Sequence, residues 1–128
     1  MAYFPFFVDI GGKNGLIVGG GRIALHKLQK LLPYEAVLKV VTPDVSEELW
    51  QTALEKDICI IKRKFEPSDL DGVCFVIAAS DDMEVNAEVG RLCRERNLLV
   101  NVVDDKEACS FLFPSLVKAG NLSIGIST

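Results

Sequence analysis

The sequence is short of the residue types that build metal centres and redox frames. It has one histidine, one tryptophan and four cysteines in 128 residues, and no cluster of His, Cys and Asp has the spacing of a dedicated metal site. Cys59, Cys74, Cys93 and Cys109 form no CxxC pair and sit in apolar surroundings. They read as reduced core thiols, neither zinc ligands nor a disulfide frame. No apolar run approaches the roughly 18–20 residues that span a bilayer, and Met1-Ala2-Tyr3-Phe4-Pro5 lacks the basic start of a secretory leader. The expectation is a cytoplasmic protein with no membrane partner. Long basic stripes are missing too: 14 Lys plus Arg against 18 Asp plus Glu give a net charge of −4, which argues against a nucleic-acid partner held through phosphates. Repeats, linkers and low-complexity stretches are also lacking. What is present, 49% apolar and 25% charged residues, can bury a real core in one domain of about 100–150 residues.

Apolar runs of strand length alternate with stretches of helical period, the rhythm of βαβ units. The predicted fold is α/β, a mostly parallel, doubly wound sheet covered by helices on both faces, in three layers. Strands are expected at Leu16-Ile17-Val18, Val37 to Thr42, Ile58 to Ile61, Val73 to Ala79, Leu98 to Val103 and Leu122 to Ile126, with Phe6 to Ile10 as a leading strand. The continuously apolar Val73 to Ala79 reads as central. Ala24, Leu25, Leu28, Leu31 and Leu32 share one helical face, which leaves His26 on the polar side as a surface residue, and Pro33 ends that helix. A second helix is expected to open at Asp44 with Glu47 in a capping box and to bury Val45, Leu49, Trp50 and Ala53. A third opens at Asp81 with Glu84 and buries Val85, Val89, Leu92 and Cys93. A sheet that ends on its last strand at Thr128, with no closing helix, reads as part of a longer protein.

Between the first strand and the first helix lies Gly19-Gly20-Gly21-Arg22-Ile23-Ala24, a G-x-G-x-x-A in the strand–turn–helix context that a dinucleotide fingerprint requires. Gly19 permits the tight turn, Gly21 lets main-chain amides approach a pyrophosphate, and Ala24 lets the helix pack close to the strand. The helix N-terminus then holds the phosphates with its unpaired amides and dipole. The acidic residue that usually follows about 20 residues on, to bind the ribose hydroxyls, is missing. Val40-Val41-Thr42-Pro43 stands there with Asp44 next, so the ribose falls to Thr42, Asp44 or backbone, and the choice between NAD and NADP stays open.

Ligands of open α/β sheets sit beyond the carboxyl ends of the strands, which singles out Thr42-Pro43-Asp44, Ser80-Asp81-Asp82 and Asn101 to Asp105. Asp104 follows an apolar strand directly, where a carboxylate can lie beside a nicotinamide ring and accept a proton. The competing reading is a turn or helix cap. Ser80 has the same two readings, with the cap favoured. Ala108 to Ser115 is a small, polar and aromatic loop that either lines a pocket or packs. Lys62-Arg63-Lys64 is either a solvated strand end or a feature suited to an anionic substrate.

Several segments together resemble a known family. They are Phe4 to Val8, Leu16 to Ala24 with Lys27, Ala78 to Asp82 with Asn86, Asn101 to Asp104, Ala108 to Phe111, and Pro114-Ser115. In this order and register, along essentially the whole chain, they are similar to the N-terminal precorrin-2 dehydrogenase module of siroheme synthases. The resemblance implies a Rossmann domain that oxidises precorrin-2, an anionic tetrapyrrole, to sirohydrochlorin with NAD as hydride acceptor. In several members the same site also inserts ferrous iron. It implies that Gly19, Gly20, Gly21, Arg22, Ile23 and Ala24 hold NAD, with Thr42, Pro43 and Asp44 on its adenosine side and Ser80 and Asp81 at the same rim. Asp104 matches the family's aspartate, the proposed general base and a participant in chelation. Family members continue into a helical dimerisation domain, so a homodimer is expected of the full-length protein. Tyr34-Glu35, where the family commonly has a small residue and Gly, departs from the pattern. A rival from another class is a non-catalytic nucleotide sensor that binds through the same turn; it has no need of Asp104.

Overall fold

A computed structural model of the protein describes residues 2–128. The chain runs β1 (Asn14–Val18), α1 (Arg22–Leu31), β2 (Val37–Val41), α2 (Glu47–Lys56), β3 (Cys59–Ile61), β4 (Phe75–Ala78), α3 (Met83–Glu95), β5 (Leu99–Val102), and then β6 (Ser115–Ala119) and β7 (Leu122–Ile126). The first five strands form one parallel sheet in the order β3-β2-β1-β4-β5. The chain therefore reverses direction across the sheet between β1 and β4, and this switch point is where such a sheet opens a crevice.

Side-chain alternation splits each central strand between two cores. Leu16, Val18, Val76, Ala78, Val100 and Val102 meet Val89 and Cys93 of α3 on one face. Ile17, Val40, Phe75 and Ile77 meet Ala24, Leu25 and Leu28 of α1 and Leu49 of α2 on the other. Both faces are thus covered, as the doubly wound three-layer expectation required. Burying side chains such as Ile17, Leu28 and Leu49 outright contributes about 1.5–3 kcal/mol each. Burial also pushes the Cys93 thiol up to about 11, so it stays protonated in the core. The long β3–β4 connection is pinned by Arg63, which donates two hydrogen bonds to the buried Asp69 carboxylate at 2.7 and 2.9 Å. The middle of Lys62-Arg63-Lys64 is therefore occupied structurally.

Several expectations are corrected. Phe6 to Ile10 is not a strand: the segment runs irregularly, with Phe6 and Phe7 each 80% exposed, and of its apolar residues Ile10 is the one packed against the core shared with α1. Residues Leu122–Ile126 form a strand, but outside the parallel sheet. β7 pairs antiparallel with β6, a strand the sequence pattern does not announce and whose first residue, Ser115, ends the expected loop. Helix α2 opens at Ser46, whose Oγ accepts from the Leu49 N–H at 3.2 Å, and not at Asp44. The Asp44 carbonyl is engaged by the Thr42 hydroxyl at 2.7 Å, and the chain is still turning there. Asp82 caps α3 instead of Asp81, accepting from the Glu84 N–H at 3.0 Å. Trp50 lies on the solvent side of α2, and Cys59 is exposed on the short edge strand β3, so neither belongs to the core. Pro33 ends α1 by converting it to one 3₁₀ turn, Leu32–Tyr34.

Candidate functional site

Every position singled out at the strand ends falls on one rim of the sheet. The Ala79 amide donates to the Val18 carbonyl at 2.8 Å, Val103 to Ala78 at 3.0 Å, Gly19 to Val41 at 3.1 Å and Thr42 to Ile61 at 3.1 Å. The ends of β3, β2, β1, β4 and β5 are thereby laced side by side. Gly19-Gly20-Gly21, Thr42-Pro43-Asp44, Ser80-Asp81 and Asp104 all leave the sheet along this edge.

Two of the three glycines are dictated by space inside the protein. Gly19 has φ +133°, and a Cβ there would run into the Ala79 carbonyl and sit 2.8 Å from the Ser80 nitrogen. At Gly20 it would strike the Asp44 carbonyl and stand 2.8 Å from the Thr42 hydroxyl. Gly20 thus earns its place by backing onto the Thr42–Asp44 corner, and its carbonyl accepts the Ser46 N–H at 2.8 Å. Gly21 differs, because nothing lies within 4 Å of a Cβ placed there. The space above it is open, at the N-cap of α1, with no side-chain cap and no acid in the first turn. An uncapped helix start carrying positive partial charge, facing open space between two strand ends, fits a diphosphate. Arg22 and Ile23 are exposed on this first turn, while Ala24 is fully buried and lets α1 press onto the sheet.

On the β4 side, buried Asn86 clamps the turn. Its carbonyl oxygen accepts the Ser80 N–H and its amide donates to the Ser80 carbonyl, both at 2.9 Å. The Ser80 hydroxyl accepts from the Asp82 N–H at 3.0 Å, a local turn bond ahead of the helix, whose cap is Asp82 and not Ser80. On the β5 side, Asp104 has φ +60°, an exposed turn residue just past the strand. Neighbouring Asp105, and not Asp104, caps the 3₁₀ turn Lys106–Ala108, accepting from the Ala108 N–H at 3.3 Å. The Asp104 carboxylate is therefore left to the rim. The segment after it returns over the α1 face. Asn101 donates to the Phe111 carbonyl at 3.1 Å, and Val103, Phe111 and Phe113 pack on the α1 core. Ala108 to Pro114 is thus packing on one side and rim on the other. His26 is exposed on α1.

Sequence reasoning gave Lys27 no part in the site. Its ammonium lies 4.3 Å from the centre of the Phe113 ring, between α1 and the returning segment. The i, i+3 spacing from Ala24 was the available signal, since it turns Lys27 toward the sheet side of α1.

A glycine turn of this construction on a β3-β2-β1-β4-β5 sheet defines a nicotinamide-dinucleotide-binding Rossmann domain. Residues 6–115 match the family model described as "Putative NAD(P)-binding", and the chain belongs to that family. Over all 128 residues it is 41% identical to the siroheme synthases of Photorhabdus laumondii and Pseudomonas entomophila, of which it covers 27% and 28%. The chain thus spans about a quarter of the length of these curated relatives. Among solved structures it is similar to "SirC, precorrin-2 dehydrogenase", with 28% identity and a TM-score of 0.83 over 98% of this chain and 62% of that one. No helix among the described residues is long and apolar enough to cross a membrane.

Proposed function

We propose that the chain is the dinucleotide-binding unit of a precorrin-2 dehydrogenase and that NAD is its cofactor. The observation that carries this reading is the uncapped start of α1 beneath open space at Gly21, on the same rim as Asp104. Relatives named siroheme synthase and the neighbour named precorrin-2 dehydrogenase support the choice of substrate. The amides of Gly21, Arg22 and Ile23 hold the diphosphate, and the Thr42-Pro43-Asp44 corner meets the adenosine side. Ser80 and Asp81 border the crevice where the nicotinamide end emerges. The cofactor, when bound, supplies the hydride acceptor for the macrocycle. Asp104 takes the proton lost from the ring as conjugation extends, so two electrons and two hydrogens leave the substrate and oxidation balances. The rest of the rim supplies proximity and orientation. No Arg stands near the Thr42 corner in sequence, which favours NAD over a 2′-phosphate-bearing cofactor.

A homodimer belongs to the same proposal. The β6–β7 hairpin leaves Val117, Leu122, Ile124 and Ile126 exposed, and two strands alone are marginal in water. The test of function is to mix the protein with precorrin-2 and NAD, and separately NADP, and follow the macrocycle absorbance. A change dependent on NAD is expected. Nucleotide binding without any change in the macrocycle would favour the sensor.

A further inference from the structure

Lys27 is a cation of α1 whose charged end rests on the face of Phe113. It is half-buried on the second turn of α1, its Nζ 4.3 Å from the Phe113 centroid, and among the described residues no hydrogen bond or ion pair engages it. Phe113 is held in turn by Phe111, with centroids 5.9 Å apart. Both rings pack on the core that α1 shares with β1 and β4. Burial, followed by the neighbouring charge of Lys30, pushes the Lys27 ammonium below the usual lysine value, while Cys109 and Asp104 act in the opposite sense. Those last two place it within electrostatic reach of the segment that carries Asp104. A partly desolvated ammonium with three N–H donors uncommitted is a costly arrangement unless an anion completes it.

We propose that Lys27 is a substrate-binding residue whose ammonium receives a carboxylate of the tetrapyrrole and sets the macrocycle against Asp104. The inference rests on the reading of this site as a tetrapyrrole dehydrogenase. Two observations favour a substrate carboxylate over a cofactor phosphate. The diphosphate already has the open amides of α1 and lies a turn earlier on the helix. Lys27 is directed away from that turn, toward Phe113 and the Asp104 segment. A polycarboxylated ligand approaching a chain of net charge −4 and an aspartate base needs a cation at this point. Phe113 supplies an apolar face that keeps water from competing for it.

The test compares Lys27→Met, which keeps the stem and loses the charge, with Lys27→Arg and with Lys56→Met at the exposed C-terminal end of α2 as control. Sirohydrochlorin binding, NAD binding and precorrin-2 turnover are measured for each. Lys27→Met is expected to weaken sirohydrochlorin binding and raise KM for precorrin-2 at least tenfold, with NAD affinity within twofold of wild type. Lys27→Arg should recover most of the loss, and Lys56→Met should match wild type. Unchanged macrocycle binding in Lys27→Met overturns the proposal, as does a parallel loss of NAD affinity, which would assign the ammonium to the cofactor. Wild-type protein that binds sirohydrochlorin through Lys27 without oxidising precorrin-2 would sink the dehydrogenase reading alone. Wild-type protein that binds no macrocycle would sink both.

Discussion

Three α-helices among the described residues start at the same rim of the parallel sheet, and their first turns are built in opposite ways. Helix α2 is closed by the Ser46 hydroxyl and carries Glu47 and Glu48 in its first turn. Helix α3 is closed by the Asp82 carboxylate and carries Glu84. Helix α1 has glycine at its N-cap, no side chain over its amides, and no acid in its first turn, which begins with Arg22. The fold gives all three the same dipole and the same orientation toward the crevice. The cap residues alone decide which helix spends its amides on itself and which leaves them open. Position in the fold offers three anion sites, and side-chain chemistry withdraws two.

The comparison can be broken from either end. The largest effect is expected where the rim turns from binding to reaction. Asp104→Ala should lower precorrin-2 turnover by about 10²–10⁴-fold, the usual contribution of a general base, with NAD affinity measured by calorimetry unchanged. Unchanged turnover would remove Asp104 from the chemistry. Next, Gly21→Asp makes α1 resemble its neighbours. The space admits the side chain, so the melting temperature should hold or rise slightly, while a carboxylate over the amides weakens NAD binding by roughly 100-fold. A stable variant that still binds NAD normally would place the diphosphate elsewhere. Removing the closure of α2 should do the reverse. Ser46→Ala is expected to cost about 1 kcal/mol in denaturant unfolding, with NAD affinity by calorimetry close to wild type.

The smallest effect lies away from the rim. The Arg63 hydrogen bonds hold the Asp69 carboxyl below its ordinary value. Its stabilisation is therefore complete above the unfolded carboxylate pKa of about 3.9 and fades as pH falls through the lower folded value. Asp69→Asn should flatten that acid limb of the unfolding curve and cost about 1–2 kcal/mol at neutral pH, because Arg63 is partly exposed.

The parallel sheet was legible because each strand is buried on two faces and reads as an unbroken apolar run, as in Phe75–Ala78. The glycine turn was legible because strand, spacing and helix coincide at Val18 to Ala24. Strand β6 was not, since it is exposed along its whole length and carries no in-out alternation to read. Phe6 and Phe7 misled for the opposite reason, being apolar without a sheet to join. The α2 start was misplaced by two residues because Asp44 and Ser46 are both good caps, and only the backing of Gly20 onto Asp44 decides between them. The Tyr34-Glu35 departure has a structural content. Glu35 takes φ +62°, where glycine is the easier residue, and Tyr34 meets the Ser123 hydroxyl at 3.1 Å and ties the hairpin to the body. Within the site, the rim positions were legible from strand ends. The Lys27–Phe113 stacking was not, because its partners are 86 residues apart in sequence, a separation given by their numbers.

The hydrogen bond from the Ser46 amide to the Gly20 carbonyl gives the molecule a built-in reporter. The same residue that closes α2 is fastened to the glycine turn proposed to hold the dinucleotide, so a ligand that stiffens the turn also slows the fluctuations that let solvent deuterium reach that amide. Exchange at Ser46 should therefore slow as NAD saturates the protein, while the Glu84 amide on the far side of the crevice keeps its pace. Binding of the nucleotide is then timed at a backbone amide already committed to the Gly20 carbonyl.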